Sequence, residues 1–290
     1  MEAFISYLIS GIQLGVLYGI VTIGFNLLIL VTGVLNFSYS HLLVLSMYAG
    51  WLILETTNNI FLAAAGTVIA GIVINAVLTP LFLPFIKKRA HLEALVISIG
   101  IALICVEIMS HWLNLGLPIA FPESIQMSGS AIKFGLSSIG IGRIISLAAG
   151  IILLFVFFRF LYHSKQGRIL RAVAQDTEVA AMMGISIPKT MFISFALGGL
   201  LAGIVAILMS VSLGSASAEL GDNITLMCLA ILFLAGIGNL KGGLICAIFV
   251  GIVEGMVMGY LPPDWTKAFA FSVILAVLLF KPEGIFGSQH

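Results

Sequence analysis

Long apolar runs follow one another down almost the whole chain, divided only by short polar stretches, and nothing else in the sequence restricts the fold so severely. Crossing a bilayer core of about 30 Å takes roughly 20 apolar residues. Hydrocarbon offers no partner for a backbone N–H or C=O, so each run must be helical. The runs are Phe4–Gly24, His41–Leu54, Ile60–Ile86, Leu92–Leu113, Ile141–Leu161, Met191–Leu213, Ile224–Ile237, Leu244–Tyr260 and Phe269–Phe280. The seventh and ninth are short for full spans. Leu27–Leu35 is shorter still and reads as a half-helix or a re-entrant turn. Of the 290 residues 61% are hydrophobic and only 9% charged, against about 25% charged in a soluble domain. The expected fold is therefore all-α, a polytopic transmembrane bundle of about 8–10 spans.

The positions of the charges carry more than the net charge of +1, which gives no reason to expect nucleic acid as a partner. With the N-terminus outside and the runs alternating, Lys87, Lys88, Arg89, Arg159, Lys165, Arg168, Arg171, Lys189, Lys241 and Lys281 fall on the cytoplasmic side, leaving Lys133, Arg143 and Lys267 outside. That is 10 of the 13 Lys and Arg, so the positive-inside rule selects N-out, C-in. Met1–Ser6 holds Glu2 and no basic residue, so the first run is expected to be a retained span rather than a cleaved signal. Cys105, Cys228 and Cys246 all sit in apolar runs without metal-ligand spacing and read as small core residues.

The sequence also hints at duplication. Leu14–Val21 resembles Gly198–Val205, Gly66–Val73 echoes Leu244–Val253, and Ser98–Leu103 echoes Ser272–Val277, in the same order. Four spans, a connecting span and four more would set the halves in opposite directions, a plan common among transporters. Similarity among Gly/Ala/Val/Ile-rich helices is the competing explanation.

The segment 163–190 is the longest polar stretch. Ile169, Leu170, Val173, Val179, Met182 and Met183 recur at helical spacing, with Arg168, Arg171, Gln175 and Glu178 on the opposite face. Asp176 or Thr177 is placed to cap a second short helix ending at Gly184. Such helices either rest on the lipid surface or form a ridge on which a soluble partner docks.

Polar groups inside the apolar runs are the candidates for a solute path, because intramembrane ionisable residues are costly and usually face a bundle interior. Glu107 and Glu254 are the acids, with His111 one turn beyond Glu107. Asn36, His41 and Ser98 are softer candidates, as are Gln13, Asn26 and Asn75. No Lys follows a Gly, so no phosphate-binding Gly-Lys-Ser/Thr loop exists. No paired acids, metal cluster or nucleophile–base arrangement points to an enzyme, so no catalytic or metal-binding residues are assigned. Energy comes from another chain or from an ion gradient, and an ion-coupled secondary transporter is the alternative reading.

Four stretches resemble the permease subunit of the branched-chain amino acid ABC transporter family over nearly the full length. They are Leu14–Ile20 running on to Gly24–Leu27, Gly33–Ser38 with His41, Gly167–Asp176 through Ala181–Ile185, and Ala235–Gly243. Within the third, Glu178-Val179-Ala180 and Gly184 keep the spacing of the importer coupling loop. Ser38-Tyr39-Ser40 and Lys241 depart from the family's usual small-residue and Pro patterns. The resemblance implies one transmembrane permease domain over 1–290, with Gly167, Arg168, Arg171, Asp176, Glu178, Ala181 and Gly184 coupling it to an ATPase. It also implies two ATP-binding subunits, a second homologous permease and an extracytoplasmic solute-binding protein, assembled at the cytoplasmic membrane. ATP would be bound by the partner subunits, with no cofactor in this chain. The solute stays open among branched-chain amino acids, urea and short amides.

Overall fold

The computed structural model describes residues 2–87, 90–122, 125, 131–134, 137–260, 265, 268, 271–272, 275–277, 279, 281 and 284–286. Among the described residues eleven α-helices are defined: α1 Glu2–Thr32, α2 Ser38–Thr57, α3 Ile60–Val77, α4 Thr79–Lys87, α5 His91–Glu107, α6 Ile141–His163, α7 Lys165–Gln175, α8 Thr177–Met182, α9 Ile187–Leu213, α10 Leu220–Ala235 and α11 Leu240–Tyr260. Short strands β1 Ile119–Ala120 and β4 Ser215–Ala216 pair antiparallel, as do β2 Ala131–Phe134 and β3 Ser137–Gly140. The architecture is an all-α polytopic bundle. Six of the described helical segments are long and apolar enough to cross a membrane.

Several boundaries differ from the sequence reading, each for a local reason. The first run and the proposed half-helix at Leu27–Leu35 are one continuous helix, α1. Asn26 does not interrupt it, because its side chain turns outward to accept the Gly238 backbone N–H at 3.0 Å. The helix stops at Gly33, whose φ of +70° suits glycine. The third run is two helices, because Pro80 has no N–H to give the Ala76 carbonyl, and the chain turns at Leu78. Asn59 caps α3 by accepting from the Phe61 and Leu62 N–H groups at 3.0 and 3.2 Å. The run at Phe269–Phe280 lies largely outside the described residues, as do Lys88, Arg89 and Lys267.

Glycines set how the helices cross. A Cβ on Gly11 would lie 2.8 Å from the Gly251 carbonyl oxygen, and one on Gly15 2.7 Å from Ile248 Cα. A Cβ on Gly71 would lie 2.6 Å from the Gly199 carbonyl oxygen. So α1 lies backbone to backbone on α11, and α9 on α3, as small residues allow in hydrocarbon. These are matching crossings, since the repeat pairs Gly15 with Gly199 and Gly251 with Gly71. Other contacts match too: α1 packs on α10 as α9 packs on α2. Gln13 meets Ser212 while Leu28 meets Gly198, so α1 and α9 run antiparallel. Helices α9, α10 and α11 therefore repeat α1, α2 and α3 in inverted sense, with α6 between the halves.

Lipid-facing and protein-facing helices separate clearly. α1 is buried along most of its length, whereas α3, α5 and α6 turn side chains such as Val96, Leu103 and Phe155 outward, the last 70% exposed. α2 carries Ser38, Ser40, His41 and Ser46, all buried. A helix surrounded by other helices has no need of a uniformly apolar surface.

Candidate functional site

The first turn of α2 gathers three of the sequence candidates. Asn36 Oδ1 accepts the Ser38 N–H at 3.1 Å and the Ser38 hydroxyl at 2.6 Å, closing an Asx turn that starts the helix. The Phe37 N–H donates to Ser98 Oγ at 3.1 Å, and Ser98 donates to the Leu95 carbonyl at 2.7 Å. His41 Nδ1 lies 3.2 Å from the Phe37 carbonyl, and its Nε2 lies 3.0 Å from Asp222 Oδ1 at the start of α10. Gly33 sits beside His91 at the start of α5, whereas Phe37 reaches Ser98, about 10 Å further along that helix. The chain therefore climbs into the bundle before α2 begins. α10 begins at the same level, which explains its 16-residue length.

Asp222 escaped the sequence reading because a single acid at the edge of an apolar run carries no pattern. The duplication was the available signal: Asp222 lies as far beyond Gly214 as His41 lies beyond Gly33, and both glycines have φ of +70°. The pair thus joins equivalent positions of the two halves. In a second cluster the sequence candidate Gln13 donates to Ser146 Oγ at 2.9 Å and to Ser212 Oγ, and these two serines also escaped the sequence reading.

The two acids have different surroundings. Glu107 is exposed and pairs with His111 at 3.0 Å, apart from the junction. Glu254 is buried, and Tyr18 donates to its Oε1 at 3.3 Å. It borders a cavity of about 220 Å³ between α1, α9, α10 and α11. Among the described residues, no three His, Cys, Asp or Glu side chains converge to hold a metal ion.

The polar segment forms a helical hairpin against the ends of α6 and α9. Ser164 caps α7 by accepting the Gly167 N–H at 2.9 Å. Asp176 caps α8 by accepting from the Glu178 and Val179 N–H groups at 2.9 and 3.0 Å. Leu170, Val173 and Ala180 face inward, and Gly167 lies against the Leu161 carbonyl, leaving no room for a side chain. Gly184 has φ of +83° and open space around it. Four residues of the expected pattern are placed otherwise. Arg171 folds back over the Tyr162 ring, 5.0 Å from its centroid, rather than joining Arg168 and Glu178 on the outer face. Val179, Met182 and Met183 point outward while Leu170 and Val173 are buried, so these apolar residues do not share one face, the two methionines being 84% and 79% exposed. Arg168, Asp176, Glu178 and Ala181 are exposed beside them.

Residues 7–278 match the family model described as the branched-chain amino acid transport system permease component. The chain belongs to this family. Permeases of this kind work in ABC transporters alongside other subunits, and the ATPase activity lies in those subunits. Curated relatives include the high-affinity branched-chain amino acid transport system permease protein LivH of Salmonella typhimurium, 24% identical over 98% of this chain and 96% of that protein. BraD of Pseudomonas aeruginosa, a permease of the same description, is 21% identical over 98% of this chain and 96% of its own length. A probable LivH of Methanocaldococcus jannaschii is 25% identical over 92% of this chain and 88% of that protein. Among solved structures, PsaBC from Streptococcus pneumoniae in complex with Fab aligns with a TM-score of 0.49 and 14% identity, covering 96% of this chain and 92% of that one. The family and the six apolar segments make this permease a multi-pass membrane protein.

Proposed function

We propose that this permease moves branched-chain amino acids inward, paired with a second homologous permease, driven by two ATP-binding subunits and fed by an extracytoplasmic solute-binding protein. The chain acts as one transmembrane domain over 1–290. Its α7–α8 hairpin is the coupling surface, and the observation that carries this role is the exposed apolar ridge of Val179, Met182 and Met183 beside Glu178. Methionines adapt to a partner's groove, and a rigid hairpin bounded by α6 and α9 passes any displacement directly to two membrane helices. Gly167 and Asp176 hold the hairpin's shape, while Arg168, Glu178, Ala181 and Gly184 belong to the docking side. The junction of Asn36, His41 and Ser98 borders the solute path, Glu254 a cavity beside it. Glu107, exposed on the bundle's rim, belongs to the contact with the second permease.

Proteoliposomes holding the permease with its partner subunits should accumulate leucine only when ATP and the binding protein are supplied on their respective sides. Glu178→Ala and Gly184→Val should leave the chain in the membrane, lower recovery of the ATP-binding subunits in pull-down and abolish uptake. Normal pull-down and uptake with both variants would remove the hairpin from the coupling path. Leucine uptake driven by an ion gradient without the ATP-binding subunits would establish the secondary-transporter reading instead.

A further inference from the structure

Glu254 keeps a buried acceptor that nothing in the described chain satisfies. The residue is 5% exposed; Tyr18 donates to Oε1, and Oε2 has no hydrogen-bond partner. Burying a carboxyl with half its bonding capacity unmet is costly, and such groups in native folds call for an explanation. Here the carboxyl borders a space. The cavity of about 220 Å³ exceeds the roughly 150 Å³ that accommodates benzene in an apolar protein core.

The lining of that space is chemically lopsided. Leu17, Met209, Ile224, Met227 and Met258 supply apolar walls, and Tyr18, Asn223 and Glu254 are its polar members. Among the described residues no Lys, Arg or His lines it, so none of them gives the carboxyl a countercharge. An ion in such a site is favourable only when paired and hydrogen-bonded. A donor that carries positive charge and is attached to a small apolar body complements this lining.

We propose that this cavity is a transit site for a solute bearing an ammonium group next to a short branched apolar chain, the ammonium donating to the Glu254 carboxyl and the chain lying against Met209, Ile224 and Met227. Tyr18 acts as a positioning residue, holding the carboxyl at the cavity wall through Oε1. The assignment rests on the importer reading and adds where, and by which group, the solute is read inside the membrane. A single charged contact in an adaptable Met-lined wall also suits transport, which needs binding weak enough to release.

The test is binding of tritiated leucine to the full-length permease in lipid nanodiscs, with two competitors. 3-Methylbutylamine keeps the ammonium and the branched chain; 4-methylpentanoate keeps the branched chain and carboxylate without the ammonium. The amine should compete and the acid should not. Glu254→Gln should weaken leucine and amine binding by about tenfold or more, the loss of one charge-assisted contact. Tyr18→Phe should weaken it less, and Ile224→Trp, filling the apolar part, should abolish it while the thermal unfolding midpoint confirms a folded chain. Wild-type affinity in Glu254→Gln, equal competition by the acid, or no binding of leucine and amine by the wild type would overturn the site. Leucine uptake by the full complex separates this outcome from the importer reading. Uptake unchanged in Glu254→Gln discards the cavity and keeps the importer. Amine binding that depends on Glu254, with no leucine uptake by the wild-type complex, keeps the cavity and discards leucine as the imported solute.

Discussion

His41 and Asp222 meet asymmetrically: the histidine side chain is 4% exposed and the aspartate 62%. Both imidazole nitrogens face acceptors, the Phe37 carbonyl and the Asp222 carboxylate. Removing the carboxylate strands a ring nitrogen that the bundle has already desolvated. Asp222→Ala should therefore cost about 1–3 kcal/mol of stability, read as a lowered unfolding midpoint in detergent. Asp222→Asn keeps an acceptor at the same place and should cost less. Equal midpoints for wild type and Asp222→Ala would show that the pair contributes nothing to stability. Local patterns made some residues legible from the sequence: Asp176 stands just before a helical stretch and Gly184 just after it. Tyr18 and Asp222 were not legible, because each takes its meaning from a partner some 180 to 240 positions away that no short-range pattern indicates.

Among the elements, the helix crossings follow from the small residues along α1, α3, α9 and α11. Gly71 and Gly199 bring two backbones together so closely that a side chain at either must displace the other helix. Gly71→Val should destabilise the bundle by about 1–3 kcal/mol, the usual range for overpacking. Gly100→Ala is the matched comparison, since its added methyl meets nothing within 4 Å. It should be neutral or gain up to about 1 kcal/mol from the helix backbone. Similar unfolding midpoints for the two variants would contradict the close crossing. Element positions were largely legible, because a run of apolar residues long enough to cross a bilayer has few alternatives to a helix. Their ends were less so. The sequence reading divided α1 between Gly24 and Leu27, and only the Gly238 N–H that Asn26 accepts shows how a polar residue sits within a continuous helix. Leu78 looked like mid-helix, although Pro80 and Pro84 were visible in the sequence and Pro80 accounts for the turn. Val179, Met182 and Met183 do not share the buried face of Leu170 and Val173, because the helical period is interrupted at Asp176, where α7 ends and α8 begins.

For the whole molecule, the sequence-based topology and the fold concern the same two ends. One end holds the α7–α8 hairpin, where Arg171 and Lys241 converge on the Tyr162 ring, with Arg159 and His163 in the adjoining groove. The other holds the β1–β4 pair, the α2–α3 turn with Asn58 and Asn59, and Arg143. Residues distant in sequence thus place their positive charge at one end, which the positive-inside rule assigns to the cytoplasm. The orientation proposed is N-out, with the hairpin inside, and exposed positions at each end make it testable. Glu55, near the end of α2, and Gln166, in the first turn of α7, are both exposed, and neither side chain caps a helix. With Cys105, Cys228 and Cys246 replaced, Glu55→Cys should react with a membrane-impermeant maleimide in intact cells. Gln166→Cys should react only after the membrane is opened. An inverted duplication makes this measurement decisive. The two halves present similar helix packing in opposite directions, so packing alone does not favour either orientation, and the choice falls to the flanking charges and the hairpin. Labelling of Gln166→Cys in intact cells would put the hairpin outside, beyond the reach of any cytoplasmic ATP-binding subunit, and would overturn the coupling role with the topology.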